Sequence, residues 1–102
     1  MPPSAKELTW APLARRDLQS LWRYFSNAAS TDIANNQYSE IRVTDLLRDR
    51  PYLGRPRSDI KAGYRSVRSQ PFVIYYRTSD VAVEILRILH ERRDIQKALQ
   101  ER

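Results

Sequence analysis

Gly54-Arg55-Pro56-Arg57, Gly63-Tyr64-Arg65-Ser66-Val67-Arg68, Phe72-Val73-Ile74-Tyr75-Tyr76-Arg77 and Val83-Glu84-Ile85-Leu86-Arg87-Ile88-Leu89-His90-Glu91-Arg92-Arg93-Asp94 follow one another in the second half of this 102-residue chain. The β-branched and aromatic runs predict three strands, over residues 64–69, 72–78 and 81–89. Only Gln70-Pro71 and Ser79-Asp80 separate them, gaps short enough for hairpins, so an antiparallel meander is expected. Arginines stand at the ends and in the middle of these runs. A small sheet carrying fixed guanidinium groups suits an acidic ligand, because the planar fork binds carboxylates and phosphates bidentately.

Upstream, Leu8 and Trp10 alternate with polar residues and predict a short strand over 6–10. Pro12 fits the first turn of a helix, where its missing N–H costs nothing. Leu13, Ala14, Leu18, Leu21, Trp22 and Phe25 then recur at helical spacing, and Asn27 to Ser30 end the helix. Ser30 or Thr31 can cap a second helix, with Asp32 near its positive end and an apolar stripe of Ile33, Ala34, Tyr38, Ile41, Leu46 and Leu47. Pro51 stops it, and 51–61 reads as a Pro-, Gly- and Arg-rich loop. Ile95, Ala98 and Leu99 predict a final short helix. The order β-α-α-β-β-β-(α) defines one α+β domain over 1–102, a small, mainly antiparallel sheet with an αα-hairpin packed on one face.

Strict alternation places Phe72, Ile74 and Tyr76 on one face and Val73, Tyr75 and Arg77 on the other. In the last strand Val81, Val83, Ile85, Arg87 and Leu89 alternate with Ala82, Glu84, Leu86 and Ile88. Both faces carry large apolar groups, whereas a sheet covered on one side alternates more cleanly. The second face is therefore expected to be covered by the C-terminal segment, a second subunit or a partner peptide.

Composition narrows the chemistry. The chain has no cysteine and one histidine, which leaves no thiol nucleophile, no disulfide and no plausible transition-metal ligand set. Its only glycines, Gly54 and Gly63, make no phosphate-cradling loop, and no serine sits in a nucleophile elbow. No cofactor is expected. The formal net charge is +6, and residues 51–102 hold eleven basic against six acidic residues. No apolar run approaches the roughly 20 residues needed to cross a bilayer. A cytoplasmic protein with no membrane partner is the expectation. The acid–base chemistry that remains rests on His90, with Arg65, Arg77 and Arg87 able to stabilise developing phosphate charge. A lone strand-end histidine is also accounted for by a backbone hydrogen bond or by stacking on Tyr64, Tyr75 or Tyr76.

Taken in order, Ala14, Asp17, Leu18, Leu47, Pro51, the Gly54-to-Arg57 and Gly63-to-Ser66 segments, Val73-to-Tyr76, Ile85-to-His90 and Arg93-Asp94 resemble the ParE branch of the RelE/ParE superfamily of bacterial type II toxins. The resemblance covers nearly the whole chain. It implies a toxin neutralised by a ParD-like antitoxin, in a toxin–antitoxin hetero-oligomer, that inhibits DNA gyrase or a related topoisomerase by binding and needs no catalytic residue. The RelE-like alternative is a ribosome-dependent mRNA endonuclease, for which the matching positions are Lys61, Arg65, Arg87 and His90; a non-toxic binding module of the same fold is a third reading. The His90-Glu91-Arg92-Arg93-Asp94 ending matches the ParE pattern better. The target contact is accordingly expected at Arg55, Arg57, Arg87, His90, Arg92 and Arg93. The antitoxin contact is expected at Leu18, Trp22, Arg65, Tyr75 and Arg77.

Overall fold

The β-branched and aromatic runs of the second half form the strands, and the helices shield one face of the sheet they make. A computed structural model describes residues 6–28, 43–69, 72–93 and 95–99, with the side chains of 22–28, 96 and 99 outside that set. The elements are β1 (Glu7–Trp10), α1 (Pro12–Ala28), a helical segment α2 (43–49), β2 (Arg55–Pro56), β3 (Tyr64–Ser69), β4 (Phe72–Thr78), β5 (Ala82–His90) and α3 (Ile95–Leu99). The sheet order is β1-β5-β4-β3-β2. β3, β4 and β5 form the expected antiparallel meander, and β1 lies parallel to β5 with Leu8 beside Val83 and Trp10 beside Ile85. The expected start of the second helix, over 30–42, lies outside the described residues.

Two readings of the sequence are corrected. The 51–61 segment is not loop throughout: Arg55 and Pro56 pair with Ser66 and Arg65 as an edge strand. An edge tolerates Pro56, because a missing N–H there breaks no inner ladder. The second correction concerns β5. Tyr75 pairs with Arg87 but Tyr76 pairs with Ile85, so Leu86 is an extra residue on that strand. A bulge of one residue reverses which face every later side chain meets. Ile88 therefore joins Val83 and Ile85 in one core, while Leu89 turns to the other.

The main core lies between the sheet and the helices. Ala14 of α1 and Leu47 of α2 are fully buried against Phe72, Ile74, Tyr76, Val83, Ile85 and Ile88, with Leu18 and Leu21 packed on the margin. The second face carries a smaller core of Val73, Tyr75, Leu89 and Ala98, closed by Ile60 and Ile95. Of the three expected covers it is the C-terminal segment that is found there, as α3, together with the turn after β2.

One ion pair ties these layers together. Arg87 is 3 % exposed, and its Nε and Nη2 donate to the two carboxylate oxygens of Asp17 at 2.7 and 3.0 Å. Its Nη1 donates to the Ala98 carbonyl at 2.7 Å. Asp17 also accepts from the Ile88 backbone N–H at 3.0 Å. β1 accompanies β5 only as far as Ile85, whose carbonyl accepts from the Ala11 N–H. Beyond that point α1 covers the open edge, and Asp17 supplies the acceptor that a neighbouring strand would have supplied.

Removing one partner of such a pair strands a buried charge. Arg87→Met is expected to lower stability by about 3–5 kcal/mol, and Asp17→Leu combined with Arg87→Met to lose less than Arg87→Met alone. Urea denaturation of the three proteins measures this; a double variant less stable than the single one would refute it.

Candidate functional site

Tyr76 builds the site from inside the sheet. Its ring is fully buried among the core residues of β4, and its hydroxyl emerges beneath the 51–54 turn. There it donates to the Pro51 carbonyl at 2.8 Å and accepts from the Gly54 N–H at 2.8 Å. Gly54 must be glycine for a local reason: a Cβ would stand 2.6 Å from the Ser66 carbonyl and 2.7 Å from the Tyr76 hydroxyl. Arg65, on the same face as Tyr76, adds a hydrogen bond from Nε to the Gly54 carbonyl at 3.0 Å, and its guanidinium lies 5.1 Å from the centre of the Tyr52 ring. The turn is held from both sides, so the Arg55–Pro56 strand leaves it in one direction.

That direction carries Arg57 across the second face. Its guanidinium sits 5.6 Å from the centre of the Tyr75 ring and shields it. Nε and Nη2 hold the carboxylate of Asp59 as a fork, at 3.0 and 3.1 Å, and Nη1 approaches the Ser66 hydroxyl at 3.4 Å. The Arg57 hydrogen bond holds the Asp59 carboxyl below the usual aspartate range, with the arginine's charge adding to it. The same bond raises Arg57 further, against the opposing effect of its burial.

Arg57 lies in a groove of about 880 Å³ that runs between the β2–β3 edge and the segment joining β5 to α3. Arg55, Arg68, Arg92 and Arg93 also line it, Glu91 is the one acidic residue among the described lining residues, and Val73, Tyr75 and Ile95 lie at its floor. Arg68 reaches over this floor to Glu91, with Nη2 2.5 Å from Oε2. Arg55 and Arg92 are exposed, and neither forms an ion pair with another described residue. The arrangement is an electropositive, partly apolar trough suited to an acidic chain rather than to a compact small molecule.

Four residues expected at a target surface, Arg55, Arg57, Arg92 and Arg93, are thus brought together in one groove. Arg87 is corrected: Asp17 and α3 bury it, and it has no surface to offer. His90 is exposed at the end of β5, outside the groove lining. Its Nδ1 accepts from the Arg92 N–H at 3.2 Å and its ring meets Phe72 edge-on at 6.0 Å, so its aromatic neighbour is Phe72 and none of the three tyrosines. In the antitoxin set, Leu18 packs half-buried against the main core, while Tyr75 is buried beneath Arg57 and offers no free ring. The Trp22 side chain lies outside the described residues. Arg65 faces the helices, and Arg77 pairs with Glu84 at 2.6 Å on the opposite face. Lys61, Arg65, Arg87 and His90 do not converge: an exposed turn, the helical face, a buried ion pair and a strand end hold one each.

Sequence reasoning missed Tyr76, Arg68 and Glu91 as parts of the site. Tyr76 read as ordinary core, and only the hydroxyl distinguishes it from phenylalanine. Among the described residues no group of three or more histidine, cysteine, aspartate or glutamate side chains is placed to hold a metal ion. None of the described helices is long and apolar enough to cross a membrane.

The model of the ParE toxin of type II toxin–antitoxin systems (parDE) matches residues 8–95. The chain is 33 % identical over 79 residues to Toxin ParE1 of Caulobacter vibrioides, covering 76 % of this chain and 81 % of that protein. It is 26 % identical over 91 residues to Toxin ParE1 of Mycobacterium tuberculosis, covering 87 % and 93 % of the two chains. A structure of the chromosomal ParDE toxin–antitoxin system of P. aeruginosa superposes with a TM-score of 0.69 at 19 % identity, over 84 % of this chain and 96 % of that one. The chain belongs to the ParE toxin family, within the RelE/ParE superfamily.

Two measurements check the local construction. Tyr76→Phe leaves the Gly54 N–H and the Pro51 carbonyl without their shared partner and is expected to cost about 1–3 kcal/mol. Amide exchange at Gly54 is expected to quicken more than exchange at Ile74; an unchanged Gly54 rate would mean that the hydroxyl does not hold the turn. The carboxyl of Asp59, followed by NMR, is expected to titrate below the ordinary aspartate range and to return to it in Arg57→Gln. Because its folded pKa is lowered, the pair persists through the ordinary aspartate range and is lost only as pH falls through the lower folded value.

Proposed function

We propose that this ParE-family chain is the toxin of a two-protein system, paired with a ParD-like antitoxin, and that it inhibits DNA gyrase or a related topoisomerase by binding it. Family membership supports the toxin role, and the ParDE structure of P. aeruginosa supports an antitoxin partner of that kind. The observation that carries the mode of action is the groove. It gathers Arg55, Arg57, Arg92 and Arg93, while the residues that would make a nuclease centre stay apart. Acid–base catalysis needs its groups within hydrogen-bond reach of one reacting atom. Binding needs only a complementary surface, and a few arginines set in partly apolar surroundings supply most of the affinity of such interfaces. Arg55, Arg57, Arg92 and Arg93 are assigned to the target contact. Arg65, with the exposed Tyr52 ring beside it, and Arg77 remain for the antitoxin.

The purified protein is expected to inhibit gyrase supercoiling and to accumulate cleaved DNA–gyrase complexes. Arg92→Glu with Arg93→Glu should weaken this by about tenfold or more, since charge reversal turns attraction into repulsion. Ribosome-dependent cleavage of mRNA that disappears in His90→Ala, with supercoiling unaffected, would replace this reading with the nuclease one.

A further inference from the structure

Arg92 and Arg93 reach the groove from a turn, and His90 holds that turn twice. The Arg93 N–H donates to the His90 carbonyl at 2.9 Å, which closes the 90–93 turn after β5. Inside it the Arg92 N–H donates to His90 Nδ1 at 3.2 Å. A backbone N–H can only donate, so Nδ1 presents its lone pair and the proton of the neutral ring is on Nε2. The bond runs from a side chain to the N–H two residues on, the pattern by which asparagine and aspartate hold tight turns. Phe72, which pairs with His90 across β4 and β5, meets the ring edge-on at 6.0 Å.

Protonation ends this arrangement. A proton on Nδ1 turns the acceptor into a donor facing another donor, and the imidazolium adds a positive charge beside Arg92 and Arg93. Histidine is the side chain whose ordinary charge change falls between about pH 5 and 8. Among the described residues, the charged groups around the ring are Glu91, Arg92 and Arg93 on its own turn and Arg68 of β3. The one carboxylate of this group, Glu91, is engaged by Arg68. β4 packs against the ring with Phe72, which carries no charge.

We propose that His90 is a positioning residue: its neutral Nδ1 orders the 90–93 turn so that Arg92 and Arg93 line the groove, and acid releases them. This rests on assigning Arg92 and Arg93 to the target contact. It differs from a catalytic or contact role for His90, because the working atom is Nδ1 and its partner is the chain itself. The fraction of molecules with the turn ordered then scales the apparent affinity for the target.

Asparagine and glutamine separate these roles. Asparagine carries its oxygen at the same remove from Cα as Nδ1, glutamine carries it one bond farther, where Nε2 stands, and neither has a ring. At about pH 8, His90→Gln and His90→Ala are expected to inhibit gyrase supercoiling about fivefold more weakly than wild type, the worth of one exposed hydrogen bond. His90→Asn is expected to recover most of that loss. Lowering the pH to about 6 should bring wild type down to the level of His90→Gln, while His90→Asn keeps its lead over His90→Gln. A second readout contains no gyrase. By NMR, the Arg92 amide is expected to exchange about threefold more slowly in wild type and His90→Asn than in His90→Gln. Circular dichroism of each variant confirms that the fold is retained.

Equal behaviour of the asparagine and glutamine variants would overturn the proposal and leave the Phe72 contact as the whole role of the ring. Stronger inhibition by His90→Gln than by His90→Asn would overturn it too, because Nε2 would then be touching the target. Should no variant inhibit gyrase while the Arg92 amide follows the expected order, the topoisomerase target falls and the turn-holding role stands. The reverse result, inhibition intact with no difference at the Arg92 amide, removes the role of His90 alone.

Discussion

The buried pair between Asp17 and Arg87 is the constraint around which the other parts are arranged. It joins the middle of α1 to the end of β5 and, through the Ala98 carbonyl, to α3. Two charges removed from water are tolerable only where nearly every lone pair and proton is matched. Here both oxygens of Asp17 and all three guanidinium nitrogens of Arg87 are engaged. The main core lies on one side of β5 and the smaller core on the other, and the pair fixes the helices of both against the same strand end. α3 is only five residues long, too short to hold itself, so its place depends on Ala98 and Ile95 packing and on this guanidinium. Since α3 and the turn before it form one wall of the groove, the site inherits its geometry from a contact buried beneath it.

The opposite wall has a separate support. Tyr76 comes from the most buried strand, and its hydroxyl determines where the 51–54 turn sits. Gly54 admits the close approach of that hydroxyl and the Ser66 carbonyl. Arg55 and Arg57 are then delivered by a two-residue strand whose register with β3 is set by the same turn. The groove thus has two walls, each anchored to the main core by one polar contact. A binding surface gains affinity when its walls are ordered before the partner arrives.

Much of the architecture was legible in the residues. The β-branched and aromatic runs of 64–69 and 72–78, Pro12 at the head of a helix and the paired gaps of the meander translate directly into local backbone geometry. The excess of apolar residues on both sheet faces correctly called for a second cover. What was not legible came from pairings without a local signal. Arg55 and Pro56 carry no strand propensity, and they are a strand because β3 offers them partners. Leu86 looks like any other alternating residue, yet the bulge there moves Leu89 to the other core.

The sequence alone determined the α+β order of elements, the absence of thiol and multi-histidine chemistry, the concentration of arginine in the sheet half and, through its motifs, the ParE family. Those follow from counts and from spacing along the chain, which are local quantities. Tertiary structure alone decided what each arginine is for. Arg87 and Arg57 stand in similar cationic segments, but Asp17 arrives from seventy residues away to bury the first, while Asp59, two residues along, leaves the second at a groove wall. An arginine on a strand is a core ion pair or a ligand contact according to whether folding brings a carboxylate and a covering helix to it. That depends on the packing of distant elements, which no spacing along the chain records.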